Sequence, residues 1–174
     1  MHKKKIKSIK TKLPDWVSLL QFFIGIAFCI LFQRYYWKTL IEFWTSICLV
    51  LGIGIFFALV TLRFYKSTLQ QDFNLKNHFV VSIIFYGFTI PAIFLSLNFH
   101  LTQNNMHVVK TTVTDSYHQR YGGLFIETTI NNFEKTLRFS KDQLNGNNKP
   151  KTLSLTIDEG YFGLTVIKSK NVIE

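Results

Sequence analysis

The sequence predicts a membrane α-helical protein with three transmembrane helices and a small C-terminal all-β domain of about five antiparallel strands, barrel-like or folded as a sandwich. Two patterns carry this. Before His100 the apolar residues gather in three runs that lack charge for about 17 to 20 residues at a time, the length needed to cross a bilayer. After Met106 the runs give way to apolar residues at alternate positions between turn-forming residues, the period of a strand with one buried face.

Residues 1–15 form a basic segment containing Lys3, Lys4, Lys5, Lys7, Lys10 and Lys12. A transmembrane domain is expected over residues 16–101, with helices at about 16–37, 40–63 and 79–100. The first run, Trp16 to Phe32, has the look of a signal-peptide core. It exits through Gln33-Arg34-Tyr35-Tyr36-Trp37-Lys38 instead of small residues suited to cleavage, so it reads as an uncleaved signal anchor with its aromatic residues at headgroup level. The second run, Phe43 to Leu62, begins after about ten residues, which predicts an antiparallel hairpin whose two helices are neighbours. Phe64 to His78 reads as a polar connection along the membrane surface, with Leu69 and Phe73 on one side.

The third run, Phe79 to Leu97, contains Gly87 and Pro91. Proline there removes a backbone hydrogen bond and kinks the helix, and Thr89 or a neighbouring helix is expected to satisfy the freed carbonyl. Gly25 with Cys29, Cys48 with Gly52, and Gly54 with Ala58 form small-xxx-small pairs that let backbones approach in lipid. Together with Gly87 and Pro91 these are the candidate helix-packing residues. Cys29 and Cys48 lie inside apolar runs, where reactive thiolate is disfavoured.

The β-domain is expected over residues 103–174 as a meander. Val109, Thr111 and Val113 alternate, as do Leu124, Ile126 and Ile130, then Leu137 and Phe139, then Leu153, Leu155 and Ile157, and finally Leu164 and Val166. Gly122-Gly123, Asn131-Asn132, Asn145-Gly146 and Glu159-Gly160 supply turns, and the polar stretch Lys141 to Lys151 reads as an exposed loop. About seventy residues is close to the lower limit for independent stability, so the sheet is expected to lean on the helices or another subunit.

The formal charge is +10, but its distribution argues against nucleic acid. Up to His100 there are 11 basic and 3 acidic residues, and after it 9 and 7, so the excess belongs to the membrane half. Lysines ahead of the first helix, with Arg63, Lys66 and Lys76 in the second loop, place those segments in the cytoplasm by the positive-inside rule. The expected location is the cytoplasmic inner membrane, multi-pass, with the N-terminus inside and the β-domain outside.

Catalytic chemistry finds no convergent groups. His2, His78, His100, His107 and His118 are scattered without metal-ligand spacing, and Asp115, Ser116 and His118 are local crowding in a turn. Gly52-x-Gly54 lies inside a membrane helix and is no dinucleotide fingerprint. No enzyme activity, cofactor or metal is therefore expected. The expected role is a non-enzymatic anchor for an extracytoplasmic β-domain that binds another envelope protein or a second copy, with an oligomeric channel or transporter subunit as the alternative. Tyr117, Arg120 and Tyr121, then Tyr161 and Phe162, are the candidate protein-binding residues, because Tyr and Arg are common interface anchors. The expected partners are the lipid bilayer and a membrane or envelope protein, with no nucleic acid.

Overall fold

The computed structural model describes residues 15–68, 74–118, 123–130, 133–144 and 150–173. Helix α1 runs Asp15–Tyr36 and α2 runs Phe43–Thr68. The third crossing is continuous but has three parts: α3 (Leu75–Ser82), a π-helical turn (Ile83–Gly87) and α4 (Phe88–His100). All three crossings are long and apolar enough to span a membrane. Their outer surfaces suit lipid: Phe23, Ile30, Trp44, Phe56 and Phe64 are between 60 and 72% exposed. In water each such side chain would forgo about 1.5–3 kcal/mol of burial.

Helix ends differ from the expected ones for local reasons. The third crossing starts at Leu75 instead of Phe79 because Asn74 caps it, its Oδ1 accepting from the Lys76 and Asn77 amides at 3.0 and 3.4 Å. Helix α2 continues to Thr68, so the surface connection expected from Phe64 is largely helix. The lysine-rich N-terminus, Leu69 and Phe73 lie outside the described residues.

Among the described residues α1 and α2 do not pack along their lengths as expected. The third crossing packs between them, and each touches it far more than the other. A short link holds two helix ends together but does not hold the helices together along their length. Packing converges on the π-helical turn. A Cβ on Gly25 of α1 would lie 2.8 Å from the Ile84 carbonyl oxygen, and one on Gly54 of α2 would lie 2.7 Å from the Ile83 Cα. Gly87 returns the contact, since its Cβ would lie 2.6 Å from the Val50 carbonyl oxygen. The turn also sits just before buried Pro91, whose ring excludes an ordinary bond to the Gly87 carbonyl, four residues earlier. Thr89 does not serve as the expected substitute donor: its buried Oγ1 has no hydrogen-bond partner.

The β-domain has strands β1 (His107–His118), β2 (Leu124–Ile130), β3 (Phe133–Phe139), β4 (Thr152–Glu159) and β5 (Thr165–Ile173). All pairs are antiparallel, but the order is β3-β2-β1-β4-β5, so the expected meander is corrected. The connection after β3 crosses the sheet and places β4 beside β1. Its 3₁₀ turn (Lys141–Leu144) buries Leu144 in the core, so the stretch expected to be wholly exposed contributes a core residue. Strand β1 pairs with β4 through His107 to Thr112, and with β2 from Val113 onward. The pairing jumps between Val113 and Asp115, leaving Thr114 as an extra residue. Such a bulge bends a strand, and here it curls the sheet into a half-barrel.

Inside the curl lie Leu124, Ile126, Ile130, Leu137, Phe139, Leu153, Leu155 and Ile157, the residues that the alternation points inward. The polar pair Thr111 and Thr128 is also buried, its hydroxyls 2.6 Å apart and each donating to a backbone carbonyl or to the other. Leu40, from the loop between α1 and α2, joins the same core.

Candidate functional site

Three features meet where the helices join the sheet. The first is a joint in which the helical loop, residues 37–42, becomes part of the sheet. Thr39 bridges Val166 at the edge of β5, with the Leu40 amide donating to the Thr165 carbonyl at 2.8 Å and the Ile167 amide to the Lys38 carbonyl at 2.7 Å. Across the curl, Lys135 of β3 donates to the carbonyls of Tyr36 at 3.0 Å and Ile41 at 3.4 Å. The ammonium sits 3.9 Å from the Tyr36 ring centroid. Lys170 of β5 reaches the Arg138 carbonyl of β3, so the two edges of the curl also meet directly.

Helix α4 closes the joint from the other side. Asn98 is fully buried, its Nδ2 donating to the Leu164 carbonyl at 2.9 Å and its Oδ1 accepting from the Phe162 amide at 2.9 Å. One amide side chain thus holds the β4–β5 turn at two points, its tip and the residue before β5. Gly160 leaves the room, because a Cβ there would collide with the Asn98 side chain. A bulge at Lys168 in β5 aims its ammonium at the C-terminus of α4, where it donates to the Phe99 carbonyl at 3.0 Å. A cation suits those unpaired carbonyls. Tyr35 and His100 tie α1 to α4, Oη to Nε2 at 2.8 Å.

The second feature is a groove of about 680 Å³ between α1 and α2, open because the two helices do not pack together. Cys29, Phe32 and Tyr36 line one wall, Phe43, Ile47, Val50 and Leu51 the other, and Ile83 with Phe88 the back. Glu134, Lys135 and Thr136 of β3 form its roof, with Gln33 and Ser46 as further polar lining. Lys135 is only 5% exposed, and burial lowers its pKa from the usual 10.5 to about 8. At neutral pH it is still an ammonium, and its described partners are carbonyls and a ring without formal charge.

The third feature is an aromatic row on the outside of the sheet. Tyr117 stacks on Phe125 at 5.3 Å, and Phe125 meets Trp37 of the helical loop at 6.0 Å. Tyr117 is 47% exposed. On the opposite side of the sheet order, Phe162 stacks on Phe94 of α4 at 4.4 Å and Tyr161 projects outward beside it. Phe94 lies six residues before the end of α4, about 9 Å along the helix, so this turn rests against the apolar crossing itself and not only its end.

The candidate residues therefore scatter over several settings. Tyr117 lies on the aromatic row, whereas Tyr161 and Phe162 lie on the turn against α4, and Arg120 and Tyr121 fall outside the described residues. Gly25, Gly54, Ala58, Gly87 and Pro91 are buried between helices. Cys29 lines the groove, Cys48 is exposed on the apolar surface, and a Cβ on Gly52 would meet nothing within 4 Å. Reading the sequence overlooks Lys135, Asn98 and Thr39, although Lys135 carries a signal: it occupies the same inward phase as Leu137 and Phe139. Asn98 is the polar residue in the last turn of an apolar run, whereas nothing around Thr39 marks it. His78 is buried too, its Nε2 2.9 Å from the Ala58 carbonyl, which assigns it to helix packing. Among the described residues no three His, Cys, Asp or Glu side chains gather as a metal site. No known family, curated protein or solved structure matches the chain.

Proposed function

We propose that the chain is a non-enzymatic membrane subunit that holds a small β-half-barrel in a fixed pose at the membrane surface, where it binds another envelope protein or a second copy. The observation that carries this reading is the loop strand at Thr39, which makes helices and sheet one unit where a flexible linker would let the domain swing. A fixed pose lowers the ordering cost of binding. The surface offered is the row Trp37, Phe125 and Tyr117, in which Tyr117 is exposed and the other two are half-buried, since aromatic residues next to the membrane suit a partner held in the same membrane. The lysine asymmetry supports a cytoplasmic N-terminus, an outside β-domain and the cytoplasmic inner membrane.

The test uses the full chain with a photoreactive phenylalanine analogue at Tyr117, irradiated in whole cells. The expected result is one discrete adduct, a dimer or a heteromer, that Phe125→Ala weakens. Lys110→Cys in the same protein, with Cys29 and Cys48 replaced by alanine, should react with an impermeant thiol reagent from outside. A well-expressed protein that yields no discrete adduct would sink the assembly reading, and labelling only after cell lysis would reverse the orientation.

A further inference from the structure

We propose that the groove between α1 and α2 is a lipid site that holds one acyl chain of an anionic phospholipid, with the headgroup phosphate at Lys135. Depth is the first argument. The lining runs from Tyr36 down to Cys29 on α1, with Trp37 just past the helix end, and from Phe43 to Leu51 on α2, seven and eight residue steps, or about 11 and 12 Å. That is close to one leaflet, half of a hydrocarbon core about 30 Å thick. A partner's transmembrane helix needs a contact stripe through the whole bilayer, whereas a lipid chain stops at mid-depth.

The roof is the second argument. Strand β3 lies over the headgroup end of the groove through Glu134, Lys135 and Thr136, and it blocks any helix that would continue out of the membrane. A chain that ends in a polar headgroup at this level meets no such obstacle. The volume, about 680 Å³, falls within the ~300–1,000 Å³ range of sites for small ligands.

Charge selects the headgroup. Lys135 is almost fully buried and its two carbonyls and one ring leave a full positive charge without a counter-charge. A phosphate diester supplies that charge and accepts hydrogen bonds, where a zwitterionic headgroup brings its own cation to the same place. Glu134, which also lines the roof, is exposed, whereas Lys135 beside it on the strand is buried. Lys38 and Lys168 are engaged with Phe99 of α4, which makes Lys135 the cation of the groove.

Trp37 lines the groove and reports on it directly. Full-length protein with Trp16→Phe and Trp44→Phe, leaving Trp37 as its one tryptophan, is placed in phosphatidylcholine vesicles. Increasing fractions of chain-brominated phosphatidylglycerol, or of chain-brominated phosphatidylcholine, quench its fluorescence. The anionic lipid should reach half-maximal quenching at a mole fraction about fivefold lower. Lys135→Gln should bring the two curves together, and Ile47→Phe, which fills the groove and leaves the Lys135 anchor intact, should do the same. The second variant keeps the test decisive if the first does not fold. Coincident curves for the parent protein, or a preference that survives Ile47→Phe, would overturn the proposal. Quenching that disappears as the protein-to-lipid ratio rises would also overturn it, by assigning the groove to a second copy of the chain.

Discussion

Asn98 and Lys135 are polar side chains buried at the joint, and each is tied to two backbone groups there. Asn98→Leu keeps the volume but strips two bonds, leaving the Phe162 amide without its acceptor, at roughly 1–3 kcal/mol, while the Leu164 carbonyl keeps only the Gly160 amide. The expected outcome is a lower melting temperature in detergent, by more than an exposed change at the other end of the sheet such as Thr129→Ala, and Gly160→Ala should lower it too by displacing the Asn98 side chain. Lys135 gives a pH signature. Its pKa in the folded protein is about 8 against the usual 10.5, so below pH 8 folded and unfolded chains both carry the proton. Between about pH 8 and 10.5 the unfolded chain binds more protons than the folded one, and stability rises with pH through that window. Lys170, lowered to about 8 by burial and then by the charges of Arg138 and Lys38, adds to the rise. Denaturant titrations in zwitterionic detergent should show this rise, and Lys135→Gln should reduce it. A wild-type curve that falls across the window would contradict the burial of both ammonium groups. Of these two residues the sequence offers partial signs, an inward strand phase for Lys135 and a late polar residue in an apolar run for Asn98, but alternation says which side a residue faces and not what it meets there.

At the scale of elements, the wedge made by the third crossing explains why small residues are not equivalent. Gly54 faces the Ile83 backbone, whereas Gly52, two residues earlier, points away from its neighbours. Gly54→Leu should therefore separate α2 from the third crossing and reduce the yield of folded protein in mild detergent, while Gly52→Leu should be tolerated. Equal yields of the two variants would mean that the helices pack on other faces. The strands were legible for a simple reason: each inward residue follows its neighbour at a spacing of two, so their number and facing are written in the alternation. Their order was not, because the β3–β4 connection has the composition of any exposed loop, and only Leu144 within it goes into the core. The bulge at Thr114 was equally hidden, since an inserted residue in a strand rich in Thr and Val does not break the pattern visibly. For the helices, the apolar runs locate the crossings to within a few residues, but the short loop between α1 and α2 constrains only their ends and does not make them neighbours along their lengths.

Across the whole molecule, the same short loop has a second role that no local pattern announces. It lies at the end of the bundle where the sheet emerges, contributes Leu40 to the core and pairs through Thr39 with β5. A β-domain of about seventy residues is marginal alone, and here part of its core and one edge are supplied by a segment from between two membrane helices. Domain boundaries drawn from composition separate what the fold joins. This joint is what makes helices and half-barrel one unit, and Thr39 with Val166 probes it. Their flanking bonds make them a non-hydrogen-bonded antiparallel pair, for which Cα atoms lie about 4.5 Å apart, within the range that a disulfide spans. The measurement is disulfide formation in native membranes by full-length protein carrying Thr39→Cys and Val166→Cys, with Cys29→Ala and Cys48→Ala. Mild oxidation should protect both new thiols from maleimide labelling after denaturation, with each single variant staying reactive as the control. Two free thiols in a protein present at normal abundance would contradict the joint, and with it the account of helices and half-barrel as one unit.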